Sequence, residues 1–496
     1  MKKNVLTIVL VLFSASVCAQ GFQGGGDQGD GNSSSSYAIG STSSTGYSQT
    51  AGTNSASGQT YTSTGSDENA VQVTGGTFTM TDCTVTKTGD YSESSDNTSF
   101  YGVNSAIYVG STSSTTTLTM SGGTITTNAK GANAAFAYGY GVLNISDVTI
   151  RNTESLSRGV HATGGGTIVG SNLDIVTEGS NSSVVATDRG GGTVSVDGGS
   201  YVTTGTDCAI LYSTGTVSAS NATGSSSQGE VGVIEGDNSI TITNCTFSSG
   251  SSERGLMILQ SGSGDSEGYD GSITVTNSTI TLTNSSAPLC EIPTSMTGTL
   301  TLDGVTLTVP SGVLMYVDYN TRWDTYGGTG YLILKNGTYS GDVNADAYGT
   351  VNVTVESTAT WYGALDATNE AKAATATVSG VWILDDDAYV DELVINSGAT
   401  VYTNGHTLTY SSMTNNGTLN TTSSGLTGIS DITLGTAEEA EEVYDLQGHR
   451  LNLRSSDLSN LAPGLYVINL NSAALQFNNL YKFLSNKKLL RVLPCQ

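Results

Sequence analysis

Basic residues are scarce in this chain. Its 496 residues include 17 Lys and Arg against 43 Asp and Glu, which gives a formal net charge of −26. Nucleic-acid binding depends on clustered Lys and Arg that release counterions from the phosphates. The composition therefore excludes nucleic acid as the main ligand.

Proline, phenylalanine and tryptophan are also few. The chain has 5 Pro, 8 Phe and 3 Trp but 63 Gly, and its hydrophobic fraction is 36%. Glycine costs roughly 1 kcal/mol per interior helical position relative to alanine, and the abundant Ser and Thr compete with helical hydrogen bonds. An all-helical protein is thus excluded. Disorder throughout is also excluded, because the apolar residues recur in register.

Long hydrophobic runs are absent except at the amino terminus. Residues 1–19 are expected to be a secretory signal, since Lys2 and Lys3 precede the apolar segment Val5 to Phe13 and a small-residue cleavage site. A lipoprotein signal with Cys18 lipidated is the alternative. No other apolar run reaches the ~20 residues of a membrane span, so we expect a secreted or surface-held protein.

One pattern recurs from residue 77 onward. It consists of two apolar residues separated by one position, then an Asp, Asn or Gly, and then a further apolar residue. The instances are Phe78-Met80-Asp82-Val85, Leu118-Met120-Gly122-Ile125, Leu143-Ile145-Asp147-Ile150, Ile168-Gly170-Asn172-Ile175, Val194-Val196-Gly198-Tyr201, Ile240-Ile242-Asn244-Phe247, Ile273-Val275-Asn277-Ile280, Leu300-Leu302-Gly304-Leu307 and Leu332-Leu334-Asn336-Tyr339. A repeat of this length indicates a solenoid.

Each repeat predicts two short strands that meet at a corner. Alternation with period two is typical of strands, and Asp, Asn or Gly supplies the left-handed backbone of the corner. A third apolar run precedes most pairs, so the sequence predicts an all-β, right-handed parallel β-helix with three strands per turn over residues 61–430. The Gly/Ser/Thr-rich residues 20–60 are expected to be a flexible linker, and Ser218 to Gly229, in the longest gap, to be a loop.

Several runs of the repeat region resemble a known family. SDENAVQVTGG (66–76), SFYGVNSAIYV (99–109), TDRGGGTVSVDGGSY (187–201), EGDNSITITNCT (235–246) and MILQSGSGDSEG (257–268) are similar to bacterial adhesin-like surface proteins with a pectin-lyase-like β-helix. The resemblance implies this fold and a location on the outer membrane or outside the cell. It assigns no catalytic residues.

Residues 436–496 resemble a different module. Val443-Tyr444-Asp445-Leu446-Gln447-Gly448-His449-Arg450, followed by Pro463-Gly464-Leu465-Tyr466-Val467-Ile468, looks like the sorting domain of the Bacteroidetes type IX secretion system. The resemblance implies a small β-sandwich-like domain whose partners are the secretion and anchoring machinery.

The cysteines fit neither a metal site nor a disulfide scaffold. Cys83, Cys208, Cys245 and Cys290 are widely spaced, and Cys83 and Cys245 hold the same place in the repeat. We expect these four to be small core residues.

Catalysis on the coil would need charged groups that converge. A lyase needs a basic residue beside carboxylates, and Arg158, Arg189 and Arg254 fall near corresponding parts of successive turns. The acidic run Asp385 to Asp387 is interpreted as a solvated edge. His161, His406 and His449 have no nucleophile motif beside them.

Two loops carry candidate binding residues. Asp265, Glu267 and Asp270 place oxygen ligands in one glycine-rich loop and could hold calcium, the only cofactor that we consider. Tyr316, Tyr319, Trp323 and Tyr326 cluster near an acidic loop and could stack on glycans. The alternatives are an ordinary polar loop and aromatic residues that cover a turn.

These observations favour a secreted or cell-surface, adhesin-like interaction scaffold without catalysis, whose partners are glycans or surface proteins. The alternative is a carbohydrate-active β-helix, either a glycan-binding module or a polysaccharide lyase. A lyase predicts a groove in which an Arg or Lys meets several carboxylates across neighbouring turns, whereas a scaffold predicts none. Outward Thr-x-Thr pairs such as Thr279/Thr281 also allow ice binding, although the series is interrupted at Ile150-Arg151.

Overall fold

A computed structural model describes residues 39–92, 94–319 and 327–421, and five short strands between residues 442 and 494. The expected signal, residues 1–19, lies outside the described residues. The structure is nearly all-β, with 58% strand and 2% helix. It forms a parallel β-solenoid of about 13 turns, which divides into two compact units, residues 1–331 and 332–496. Among the described residues, no helix is long and apolar enough to cross a membrane.

The first unit consists of stacked coils, a coil being one turn of the solenoid. Its helix is Ser95–Tyr101. Its strands are Ser41–Gln49, Thr53–Ser57, Thr60–Ser63, Glu68–Val73, Thr77–Lys87, Ile107–Thr127, Ala135–Ser146, Thr149–Asn152, Val160–Thr163, Gly166–Thr177, Val185–Thr187, Gly192–Thr203, Leu211–Ser213, Thr216–Ser220, Thr223–Ser226, Gly232–Glu235, Ser239–Thr243, Thr246–Ser249, Leu256–Leu259, Asp270–Thr276, Thr279–Leu282, Cys290–Ile292, Thr297–Asp303, Thr306–Thr308 and Val313–Val317; the next strand is Thr329–Lys335.

The interior of the first unit is built from apolar ladders. Parallel pairing places each inward residue above the equivalent residue of the coil before it. One ladder starts at Phe78 and continues through Leu118, Leu143, Ile168, Val194, Val217, Ile240, Ile273 and Leu300, all essentially inaccessible to solvent. Because each coil contributes few core residues, a low hydrophobic fraction suffices for the fold.

The corner prediction is confirmed at every repeat. All nine predicted corner residues have a positive φ, between 46° and 71°: Asp82, Gly122, Asp147, Asn172, Gly198, Asn244, Asn277, Gly304 and Asn336. Asp and Asn tolerate this left-handed conformation better than other non-glycine residues, and glycine adopts it freely. The four interior cysteines, Cys83, Cys208, Cys245 and Cys290, are buried free thiols, as predicted.

The part of the predicted flexible linker that the structure describes belongs to the solenoid, so the prediction is wrong there. Ser41–Gln49, Thr53–Ser57 and Thr60–Ser63 are strands that pair in parallel with the strands of the next coil. The ring of Tyr47 stacks on Phe78 with centroids 4.0 Å apart. Threonine suits an exposed strand position, so this coil needs few aliphatic residues, and the β-helix already includes Ser41.

The prediction of a loop at Ser218 to Gly229 is wrong, because this segment contributes to two strands of a coil. Thr216–Ser220 and Thr223–Ser226 pair in parallel with the coils on both sides. Asn221 between them has φ 53° and is a tenth corner of the same kind.

The second unit has shorter coils. Its strands are Gly337–Ser340, Asp342–Ala345, Thr350–Val355, Ala359–Tyr362, Ala373–Val378, Val381–Ile383, Ala388–Ile395, Thr400–Tyr402, Leu408–Asn415 and Thr418–Asn420. The buried rings of Trp361 and Trp382 stack in its interior, 4.9 Å apart and 10° from parallel. Their indole N–H groups donate to Gly341 O (2.8 Å) and Gly363 O (2.9 Å).

The described strands of the carboxyl-terminal region are antiparallel. Glu442–Tyr444, Arg450–Leu451, Gly464–Asn469, Leu480–Ser485 and Lys488–Pro494 form one five-stranded sheet. The pairing in these strands thus differs from the parallel pairing of the coils, and the separate domain over residues 436–496 stays a prediction. The sorting role stays a prediction.

Candidate functional site

The sheet formed by the third strand of each coil is buried on both of its faces. On its outer face, the central residues of successive strands stack in register: Tyr108, Phe136, His161, Ala186, Tyr212, Val233, Met257 and Glu291. All eight are buried. Outward positions of the other strands in these coils are mostly exposed or half-buried, so a second layer of the protein covers this sheet.

Part of that cover is the short helix Ser95–Tyr101. Ser94 caps its start by accepting the Asp96 N–H at 3.1 Å. The helix ends at Gly102, whose φ is 72° and where an added Cβ would lie 2.4 Å from the Phe136 ring. Glycine is therefore needed there for both conformation and space. The helix lies between the strands Thr77–Lys87 and Ile107–Thr127, where the sequence predicted no helix.

A second part of the cover is the strap, which we define as residues 260–268. The Asp265 carboxylate accepts two hydrogen bonds from the Arg189 guanidinium, at 2.9 Å from Nε and 2.6 Å from Nη2. The hydroxyls of Ser261 and Ser263 both donate to Glu235 Oε1. The strap is thus bound to the outer face at two places.

A buried ion pair lies beneath the helix. Arg158 Nη2 is 3.3 Å from Asp188 Oδ2, and both side chains are at most 1% exposed. Arg158 also donates to the Ser99 hydroxyl of the helix at 3.1 Å. Burial raises the pKa of Asp188 to about 7, against the opposing effect of Arg158. The pair therefore links the helix to the solenoid.

His161 lies beside this pair. Its Nε2 is 3.9 Å from Asp188 Oδ2, and its Nδ1 is 3.3 Å from Asn133 Oδ1. Because Asn133 Oδ1 can only accept, Nδ1 carries the proton and donates. Burial, reinforced by Arg158, holds the pKa of His161 well below its usual value, so the ring is neutral. Sequence reasoning treated His161 as isolated; its partner lies one coil away.

The second charged centre is formed around Arg254. Its guanidinium donates to Glu291 and, at 2.6 Å, to Glu253, and Nη1 lies 3.8 Å from Glu230. Glu230 belongs to the preceding coil, Glu253 to the same coil and Glu291 to the following coil. The Arg254 side chain is only 4% exposed. Burial raises the pKa of Glu230 to about 7, and raises that of Glu291, in each case against the effect of Arg254. One arginine thus meets several carboxylates across neighbouring coils, but beneath the surface.

The three residues proposed to bind calcium lie in different environments in the structure. Asp265 is buried in the ion pair with Arg189, whereas Glu267 and Asp270 are exposed. Of the described residues, the group of three that could hold a metal ion is Asp386, Asp387 and His406. The structure does not bring the three loop residues together as such a group.

The proposed glycan-binding aromatic residues are only partly described. Tyr316 and Tyr319 are half-buried, and Tyr316 pairs with Glu291 in the outer-face column. Trp323 and Tyr326 lie outside the described residues, so the aromatic cluster stays a prediction.

The remaining outward face of the first unit carries rows of hydroxyl groups. In-register pairing aligns these residues into columns that extend along the solenoid. Two of them are Ser55, Thr79, Thr119, Asn144, Val169, Ser195, Ser218, Thr241, Thr274 and Thr301, and Thr60, Thr84, Thr124, Thr149, Asp174, Ser200, Thr223, Thr246, Thr279 and Thr306. Charged side chains are few in these columns.

Comparisons with known proteins bear on none of these residues. No family model, no curated protein sequence and no solved structure matches the chain. The fold and the side-chain geometry are therefore the basis of the functional argument.

Proposed function

We propose that this protein is a secreted or cell-surface interaction scaffold of the adhesin-like kind, without catalysis, whose partners are glycans or surface proteins. The observation that carries the proposal is the array of hydroxyl columns on the first unit. Serine and threonine hydroxyls both donate and accept hydrogen bonds, and repetition along the coils offers many equivalent contacts to an extended partner. Each contact is weak, so affinity would come from their number.

The burial of charged side chains beneath the helix and the strap supports the same proposal. Asp188 and Arg158 are nearly inaccessible, and the strap and the helix are hydrogen-bonded over the outer face. A catalytic acid or base must reach within hydrogen-bonding distance of its substrate. In this arrangement, charged groups hold the cover in place while the hydroxyl face remains exposed.

The proposal is tested by binding of the full-length chain to arrays of glycans and surface proteins. We expect the triple variant Thr241→Glu, Thr274→Glu, Thr301→Glu to lose binding by at least about tenfold, because it replaces three stacked hydroxyl groups, which donate and accept hydrogen bonds, by carboxylates that only accept. The control substitutes Glu at Thr338, Thr360 and Thr400, which share one in-register column of the second unit, outside the hydroxyl columns of the first unit. Absence of any ligand, or equal binding by both triple variants, would contradict a role for the Thr241 column.

A carbohydrate-active enzyme is the second candidate, favoured by Arg254. An arginine in contact with carboxylates of three coils is the convergence expected of a lyase. The test is the absorbance of unsaturated products from polyuronates incubated with the full-length protein. If the candidate is right, Arg254→Lys abolishes the product while Arg151→Lys, at the exposed Arg151–Asp174 pair, retains it. Absence of product from the wild-type protein removes this candidate.

A further inference from the structure

Two acidic residues and a histidine meet at one turn of the second unit. Asp386 and Asp387 precede the strand Ala388–Ile395, and His406 precedes Leu408–Asn415. These strands pair in parallel, with Ala388 opposite Leu408. Coil stacking therefore superimposes the two turns, although 20 positions of sequence separate Asp386 from His406.

Hydrogen bonds hold the two turns together. The Thr407 N–H donates to Asp387 Oδ1 at 2.7 Å, and the Ala388 N–H donates to Thr407 O at 2.9 Å. The Asp387 N–H donates to Asp386 Oδ1 at 2.8 Å. Each carboxylate accepts through one oxygen in these contacts, so its second oxygen can bind a metal ion.

The three side chains have a metal-binding geometry. One ligand atom from each of Asp386, Asp387 and His406 lies within 4.8 Å of the other two. Ligands about 2.1 Å from a tetrahedral ion stand about 3.4 Å apart, so the ligand atoms would need to approach one another by at most about 1.4 Å to close the site. Asp386 is exposed and the other two are half-buried, so an ion could enter from solvent.

Acidic residues crowd this turn. Asp385 directly precedes Asp386 and Asp387, and the charges of Asp385 and Asp386 both act on the Asp342 carboxyl group. Carboxylates that crowd in this way favour a cation, because it relieves their mutual repulsion.

The side chain of Asn404 also joins these two turns. Asn404 belongs to the same turn as His406, and its Nδ2 donates to Leu384 O at 3.1 Å, directly before the acidic run. Its Oδ1 is buried without a hydrogen-bond partner. A buried acceptor oxygen without a donor is costly unless an ion or a bound water satisfies it.

We propose that Asp386, Asp387 and His406 form a binding site for one divalent transition-metal ion of the zinc class. The imidazole decides the class, because calcium and magnesium take oxygen ligands whereas zinc accepts nitrogen and carboxylate together. Three protein ligands leave a fourth position for water or for a group of a binding partner. The ion would join two neighbouring coils.

The test uses the full-length protein stripped of metal by a chelator and titrated with Zn²⁺ in a calorimeter. We expect one zinc ion per chain, with affinity reduced at least about tenfold in His406→Gln and in Asp386→Asn. Glu392→Gln is the matched control, because Glu392 is an exposed carboxylate on the strand that follows Asp386. It should change the affinity by less than about twofold. Circular dichroism checks that each variant is folded.

Cobalt(II) supplies a second readout, because its visible absorption changes when a histidine nitrogen coordinates it. We expect this change in the wild-type protein and not in His406→Gln. The proposal fails if the wild-type protein binds no zinc, if both ligand variants bind it as tightly as the control, or if equimolar calcium displaces it.

Discussion

Asp265 anchors the strap, and its replacement by alanine should open the strap without unfolding the solenoid. The side chain is buried and accepts two hydrogen bonds from Arg189. Hydrogen bonds to charged groups contribute roughly 1.5–3 kcal/mol each, but Arg189 is 39% exposed, so solvent screening lowers their value. A net loss of about 1.4–2 kcal/mol is reasonable, and it corresponds to about a 10- to 30-fold larger open population.

Hydrogen exchange of the strap amides measures this opening directly. The Gly262 N–H donates to Gln260 Oε1 and the Ser263 N–H donates to Ser261 Oγ, so their protection depends on side chains of the strap itself. We expect their exchange in Asp265→Ala to be about 10- to 30-fold faster, while ladder amides in the solenoid keep their rates. Glu267→Ala is the control, because Glu267 is an exposed carboxylate of the same strap. Equal strap exchange in the two variants would refute the anchoring role of Asp265.

Three further perturbations test the packing and the charges. Trp382→Ala should lower the unfolding free energy of the second unit by about 3–5 kcal/mol, and Trp382→Phe by less, in urea denaturation followed by circular dichroism. Asn244→Val should be about 1–2 kcal/mol less stable than Asn244→Gly, because the corner has φ 53°; equal melting curves would contradict this. Asp188 has a folded pKa of about 7, above its ordinary 3.8, so the folded state binds this proton more tightly and the contribution of Asp188 to stability falls as pH rises from about 4 to 7. Urea denaturation at several pH values should show this fall in the wild type and not in Asp188→Asn.

The sequence predicted those features that repeat from coil to coil. Alternating apolar positions and the corner residues, such as Asp82 and Asn172, are sufficient to indicate parallel coils, because both the ladder and the left-handed corner depend on local residue type. The buried cysteines followed from the same register. Apart from the handedness of the repeat, the all-β solenoid could be predicted from local residue types, without knowledge of contacts between distant residues.

The candidate sites could not be predicted in the same way. Their residues come from different coils, and which of them meet depends on the number of residues in each coil. Arg189 contacts Asp265 across 76 positions, and His406 reaches Asp387 because their coil is about 20 residues long instead of 25. An acidic run and an isolated histidine thus had no visible connection in the sequence. Counting back one coil length from His406 would have led to the acidic run and suggested that the two are in contact.

The hidden coil at 216–226 shows why a repeat can escape detection while its backbone is intact. Gly224 occupies the apolar position of this coil, between Tyr201 and Phe247 of the neighbouring coils. A Cβ on Gly224 would lie 2.6 Å from the backbone oxygen of Tyr201 and 3.1 Å from the Phe247 ring, so the backbone of one neighbouring coil and the aromatic ring of the other already fill the space that this position would supply. The interior is thus filled by the column as a whole, and a large residue in one coil permits a small one in the next. Gly224→Val should therefore lower the unfolding free energy of the first unit, and adding Phe247→Ala should recover part of that loss. If the effects of the two substitutions are simply additive, the two positions do not compete for the same interior space.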